Sequence, residues 1–105
     1  MRLHIIIDEY TMQIEVDDAL IAASRERFAR LDHNMDQGLK LGHQWIENPD
    51  TEQRCQSAAD KLLSAIETHN ESLALLSAGY ILSRYPDISC VRIDTSGEPA
   101  NTRFE

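Results

Sequence analysis

The sequence predicts an α+β fold: a small antiparallel sheet, made of an N-terminal hairpin and a C-terminal strand, packed against two or three α-helices. Three observations predict it. Apolar side chains alternate at the start, with Leu3, Ile5 and Ile7 followed by Met12, Ile14 and Val16, which is the period of half-buried strands. The middle of the chain carries apolar residues at helical spacing. Near the end, Ile88, Cys90, Val91 and Ile93 form a last short apolar run among polar neighbours.

Each element has a local reason. Residues 3–7 and 11–16 read as two strands joined through Asp8-Glu9-Tyr10, short enough for a hairpin although the Asn-Gly or Asp-Gly signal is missing. Ile6, on the opposite face from Ile5, suggests that the first strand is central or covered on both sides. Asp17 and Asp18 supply a cap and an acidic first turn for a helix expected over 18–36. Its stripe is Leu20, Ser24, Phe28, Leu31 and Met35, and Gly38 is its stop. Residues 37–50 form a connector too apolar to hang free, containing Leu39, Leu41, Trp45 and Ile46, with one helical turn expected at 42–47.

Asp50 and Gln53 have the spacing of a capping box, so a second helix starts near Thr51. Cys55, Ala59, Leu62, Ile66, His69, Leu73, Leu76 and Tyr80 then follow a heptad-like seam. One unbroken helix over 51–84 and two helices split near 68–70 both fit. Thr68 and Glu71 have capping-box spacing and favour the split, and Pro86 ends the block. Residues 88–94 form the last strand. The expected organisation is one compact α+β domain over 1–95 and a polar, flexible tail over 96–105.

Composition excludes several classes. A chain of 105 residues with 42% hydrophobic content buries roughly two-thirds of its unfolded surface without help from disulfides or metal. Lys+Arg 10 against Asp+Glu 18 gives a formal charge of −8, which disfavours nucleic-acid phosphates and anionic membranes. The densest basic spot is Arg25, Arg27 and Arg30, interrupted by Glu26. No apolar run is long enough for a signal peptide or a membrane span. Cys55 and Cys90 follow no disulfide or zinc spacing, so the expected compartment is the reducing cytoplasm.

The candidate sites are few. Asp32, Asn34 and Asp36 match the first three ligand positions of a calcium loop, but Gln37 and His43 stand where such a loop needs Gly and Glu. A metal reading therefore rests on Asp32, His33, Asp36 and His43, against the plainer reading of a polar helix end. His69 occupies a seam position otherwise given to Leu, Ile and Tyr, where a buried imidazole needs a partner and can serve as acid/base or ligand. Trp45, beside His43 and Glu47, is either a core anchor or the wall of a partner or ligand site. Asp94-Thr95-Ser96-Gly97 has its glycine one place late for an aspartic-protease loop and reads as a turn.

With no catalytic constellation in view, the expected role is a non-enzymatic accessory or regulatory module. It would bind a protein partner through Trp45, His43 and the connector, or through the helical seam that holds His69. No cofactor is expected. The alternatives are a metal- or small-ligand-binding protein, and a small enzyme using His69 with Glu67 and Glu71. The seam offers more apolar surface than a thin sheet covers, which predicts a homodimer through 51–84 or through sheet edges.

Overall fold

The computed structural model describes residues 1–105 and is α+β. Strands β1 (Arg2–Ile7) and β2 (Tyr10–Glu15) form the predicted hairpin, with Leu3 opposite Ile14 and Ile5 opposite Met12. Helices α1 (Asp18–Ala23) and α2 (Arg25–Asp36) follow, then a small ribbon of β3 (Leu39–Leu41) and β4 (Gln44–Ile46). Helices α3 (Thr51–Glu67) and α4 (Glu71–Arg84) lead into β5 (Cys90–Ile93), and a 3-10 turn at Pro99–Asn101 precedes β6 (Arg103–Phe104).

The main sheet has four strands in the order β2-β1-β5-β6. It is mixed rather than wholly antiparallel, because β5 runs parallel to β1 and pairs Ile5 with Val91 and Ile7 with Ile93. The four helices form the crossover between β2 and β5, returning the chain to the sheet in the direction of β1. β1 is therefore central, as Ile6 suggested. The row Met12, Ile5, Val91 and Phe104 runs across one face.

That face holds the core. Leu3, Ile5, Val91 and Ile93 join Phe28, Cys55, Ala59, Leu62, Ala78, Tyr80 and Ile81 in one buried cluster. Each fully buried Leu or Ile there contributes about 2 kcal/mol. On the other face of the sheet no residue of β1, β2 or β5 is buried: Arg2, Thr11, Gln13, Glu15 and Arg92 are exposed, and His4, Ile6 and Cys90 half-buried. The helices cover one side.

Several local expectations need correction. The helix over 18–36 breaks at Ser24, whose N–H turns back to Ile21 O (3.2 Å) before the ladder restarts with Phe28 N–H to Ser24 O (2.9 Å). The break brings Phe28 edge-on to Tyr80, with ring centroids 5.9 Å apart. Gly79 of α4 makes this close packing possible, since a Cβ there would lie 3.2 Å from Phe28 Cζ. The connector holds no helical turn at 42–47. Leu39 and Leu41 are buried on either side of exposed Lys40, an alternation of period two, and Gly42 opens the two-residue turn at φ +64.

The segment 96–105, expected as a flexible tail, carries the 3-10 turn and β6, which pairs Phe104 with Val91. Gln56, buried on α3, donates to Ala100 O (3.1 Å) and Thr102 O (3.2 Å) and ties this segment down.

The block 51–84 is two helices. Asp50 and Gln53 form the expected capping box at the start of α3 (2.8 and 3.0 Å). α3 ends in a Schellman motif: Asn70 N–H bonds Ala65 O (2.8 Å) and His69 N–H bonds Ile66 O (3.3 Å), with His69 at φ +55. Asn70, not Thr68, caps α4 by accepting from Leu73 N–H (3.1 Å). The seam is folded back on itself, so α3 and α4 bury Cys55, Ala59, Leu62 and Tyr80 and leave Ile66, Leu73 and Leu76 half-buried.

Candidate functional site

The residues singled out in the sequence do not come together. His43 sits exposed at the β3–β4 turn, and Trp45 on β4 is 62% exposed as a residue. The tryptophan is no core anchor. Its ring lies over Gly38, where a Cβ would fall 2.5 Å from Trp45 Cζ2, and Gly38 at φ +123 makes room for it. His69 is exposed in the α3–α4 turn. The 17 residues of α3, at 1.5 Å each, put it about 25 Å from the β4 end of that helix. Its seam position was an accident of counting through a turn, and no buried imidazole exists there.

The metal reading fares no better in geometry. No group of three or more His, Cys, Asp or Glu side chains is placed to hold an ion. His33 is exposed on α2. The Asp32 and Asp36 carboxylates instead face guanidinium groups.

Those two aspartates belong to a cluster that ties three helices. Asp32 of α2 accepts from Tyr80 Oη (2.5 Å) and from Arg84 of α4, and Arg54 Nη1 of α3 approaches it at 3.3 Å. Arg54 also donates to Asp32 O (3.0 Å), Pro49 O (3.0 Å) and Asp36 Oδ1 (2.7 Å). The Arg84 guanidinium lies 4.9 Å from the centre of the Tyr80 ring. Burial opposes charge on Asp32, but the bonds from Tyr80 and Arg84, the charge of Arg84 and the bond from Arg54 together hold its carboxyl below the usual range. Burial and the Asp32 carboxylate push the Tyr80 hydroxyl up.

The cluster opens onto a polar concavity lined by Asp32, Asp36, Asp50, Arg54, Tyr80 and Arg84. Its chemistry is that of a bolt. The carboxylate is saturated with donors and held ionised, so it makes a poor general base, and the adjoining Cys55 thiol is pushed by burial up to about 12. Sequence reasoning missed Arg54, Tyr80 and Arg84. One signal was present: a tyrosine at a core position carries a hydroxyl that must find a partner.

The other prominent feature is the outer edge of the sheet. β2 pairs with β1 on one side and has no strand on the other. Tyr10 and Met12 point to the helix side of the sheet, opposite Ile7 and Ile5, yet are 78% and 37% exposed. Asp8 and Glu9 flank the strand at one end, Glu15, Asp17 and Asp18 at the other. No helix of the chain is long and apolar enough to cross a membrane. No known family, curated protein or solved structure matches this chain.

Proposed function

We propose that this protein is a non-enzymatic accessory module that binds a protein partner by adding one of the partner's extended segments to β2. The observation that carries the reading is the free six-residue edge of β2. It contains neither lysine nor proline, the residues that usually blunt such edges. Main-chain bonds from a docked strand give affinity, and the exposed Tyr10 and Met12 offer apolar contacts to alternate side chains. Glu15 and Asp18 are already ion-paired with Arg2 and the Met1 ammonium, so the exposed Glu9 and Asp8 at the hairpin end, within a chain of net charge −8, favour a basic segment. Two unbridged cysteines support a reducing compartment such as the cytoplasm.

Self-association through the same edge is the competing reading, because most of the helical seam's apolar surface is spent on contacts inside the chain, whereas the β2 edge is unpaired. The two respond oppositely to salt. A basic segment binds an acidic edge more weakly as salt rises, whereas two chains of like charge meet more readily once repulsion is screened.

The test is titration of the isotope-labelled protein with a short peptide alternating lysine with valine, following backbone amides, alongside sedimentation at low and high salt. Shifts concentrated in β2, weakened by salt and abolished by Met12→Lys, support the proposal. Shifts spread over the surface, or none, overturn it, and a dimer that strengthens with salt replaces it.

A further inference from the structure

The break at Ser24 leaves a groove between the α1–α2 corner and α4. Val16, Leu20, Ile21, Phe28, Leu75 and Leu76 make its apolar walls, and the groove, open to solvent on one side, offers about 170 Å³. An apolar cavity of about 150 Å³ suffices for a benzene ring. Two polar side chains three residues apart, Ser24 and Arg27, line this greasy slot, and Ser72 of α4 lines it as well. Ser24 is only 7% exposed, yet its hydroxyl makes no capping bond, and the residue lines the groove. Its oxygen is not sealed inside protein, since no buried side-chain polar atom lacks a partner.

Ser24 is both the C-cap of α1 and the N-cap of the 12-residue helix α2, so the free N–H groups that start α2 lie beside the last carbonyls of the short α1. Arg27, in the first turn of α2, lines the groove too. The chain's ion-paired arginines are Arg2, Arg54, Arg84 and Arg92, so Arg27 brings an uncompensated charge.

We propose that this groove binds a small carboxylate with an apolar body of about the size of one aromatic ring. The ring lies between Phe28 and Leu76. The carboxylate lies at the Ser24–Arg27 end, where the serine hydroxyl and the guanidinium donate to it. The apolar walls alone would accept any hydrocarbon; the unpartnered hydroxyl and the free cation, in a chain otherwise rich in carboxylates, select the acid.

The experiment titrates the isotope-labelled full chain with phenylacetate, toluene and acetate separately, following amide shifts. Phenylacetate is expected to give saturable shifts at Ser24, Arg27 and Gly79, with acetate giving none and toluene weaker ones. Arg27→Gln is expected to weaken phenylacetate about tenfold while leaving toluene unchanged, and Ser24→Ala to weaken phenylacetate less. Unchanged spectral dispersion in both variants shows that they remain folded. Absence of saturable shifts at the groove overturns the site. Equal binding of phenylacetate by wild type and Arg27→Gln overturns the carboxylate assignment.

Discussion

Asp32 and Arg84, 52 residues apart in the chain, meet as a direct carboxylate–guanidinium bond across the α2–α4 interface. Arg54 reaches the same carboxylate from α3, so one aspartate sets how three helices sit on one another. Asp32→Ala removes the shared acceptor and strands the Arg84 charge and the Tyr80 hydroxyl, while Arg54 keeps Asp36 and two backbone carbonyls. The expected loss is about 2–3 kcal/mol, because removing one partner of a partly buried network leaves the others unsatisfied. Urea unfolding measures it. The double variant Asp32→Leu with Arg84→Met is expected to lose less than Asp32→Leu alone. A loss below about 0.5 kcal/mol for the alanine variant would mean that solvent already satisfies these groups.

The same carboxylate makes stability depend on pH in a defined direction. Burial raises its pKa, the bonds from Tyr80, Arg84 and Arg54 and the charge of Arg84 outweigh that, and the folded value ends below the unfolded one. The contribution is therefore fully present above the unfolded value, about 3.9, and is lost as pH falls through the lower folded value. The difference in urea midpoint between wild type and Asp32→Asn is expected to hold steady from neutral pH to about pH 5 and to shrink below about pH 4. A difference that stays constant in acid would remove Asp32 from the account.

The two thiols are expected to react very differently. Cys55 is fully buried, its pKa pushed up to about 12, so almost none of it is thiolate near neutrality. Cys90 lies half-buried on the helix-free side of the sheet, beside His4 of β1. In native protein at about pH 8, a thiol reagent should label Cys90 and leave Cys55 untouched until urea is added. Equal native rates would mean that α3 opens readily from the core.

His69 holds the left-handed position that ends α3, a conformation that costs a residue with a Cβ and costs glycine nothing. His69→Gly is expected to stabilise the protein by about 0.5–1 kcal/mol, and His69→Val to destabilise it. Thermal unfolding at constant pH checks the pair. A destabilised glycine variant would show that the imidazole itself makes a needed contact.

Much of the local structure was legible because it depends on neighbours in sequence. Alternation at Leu3, Ile5, Met12 and Ile14 defines the hairpin, and Asp50 with Gln53 starts α3 through bonds spanning three residues. The same reasoning failed where a periodic pattern ran through a turn. His69 kept the helical count while the chain reversed beneath it, and Ser24 kept it while the ladder restarted. Leu39, Lys40 and Leu41 carried a strand signal too short to compete with the glycines and proline around them. At the candidate sites, Asp32 and Asp36 were visible as carboxylates, but the partners that decide their chemistry, Arg54 and Arg84, lie 22 and 52 positions from Asp32.

By itself the sequence determined the α+β character, the positions of most strands and helices and the formal charge of −8, because propensity, capping and composition act within a few residues. The tertiary structure alone decided that β5 returns parallel to β1, that the polar C-terminal segment completes the sheet and that two arginines claim the aspartates. It also left β2 bare at the edge and a groove beside Ser24. These depend on which distant surfaces meet when the apolar faces are buried together, and a one-dimensional pattern carries no distance between residues that pairing has yet to join.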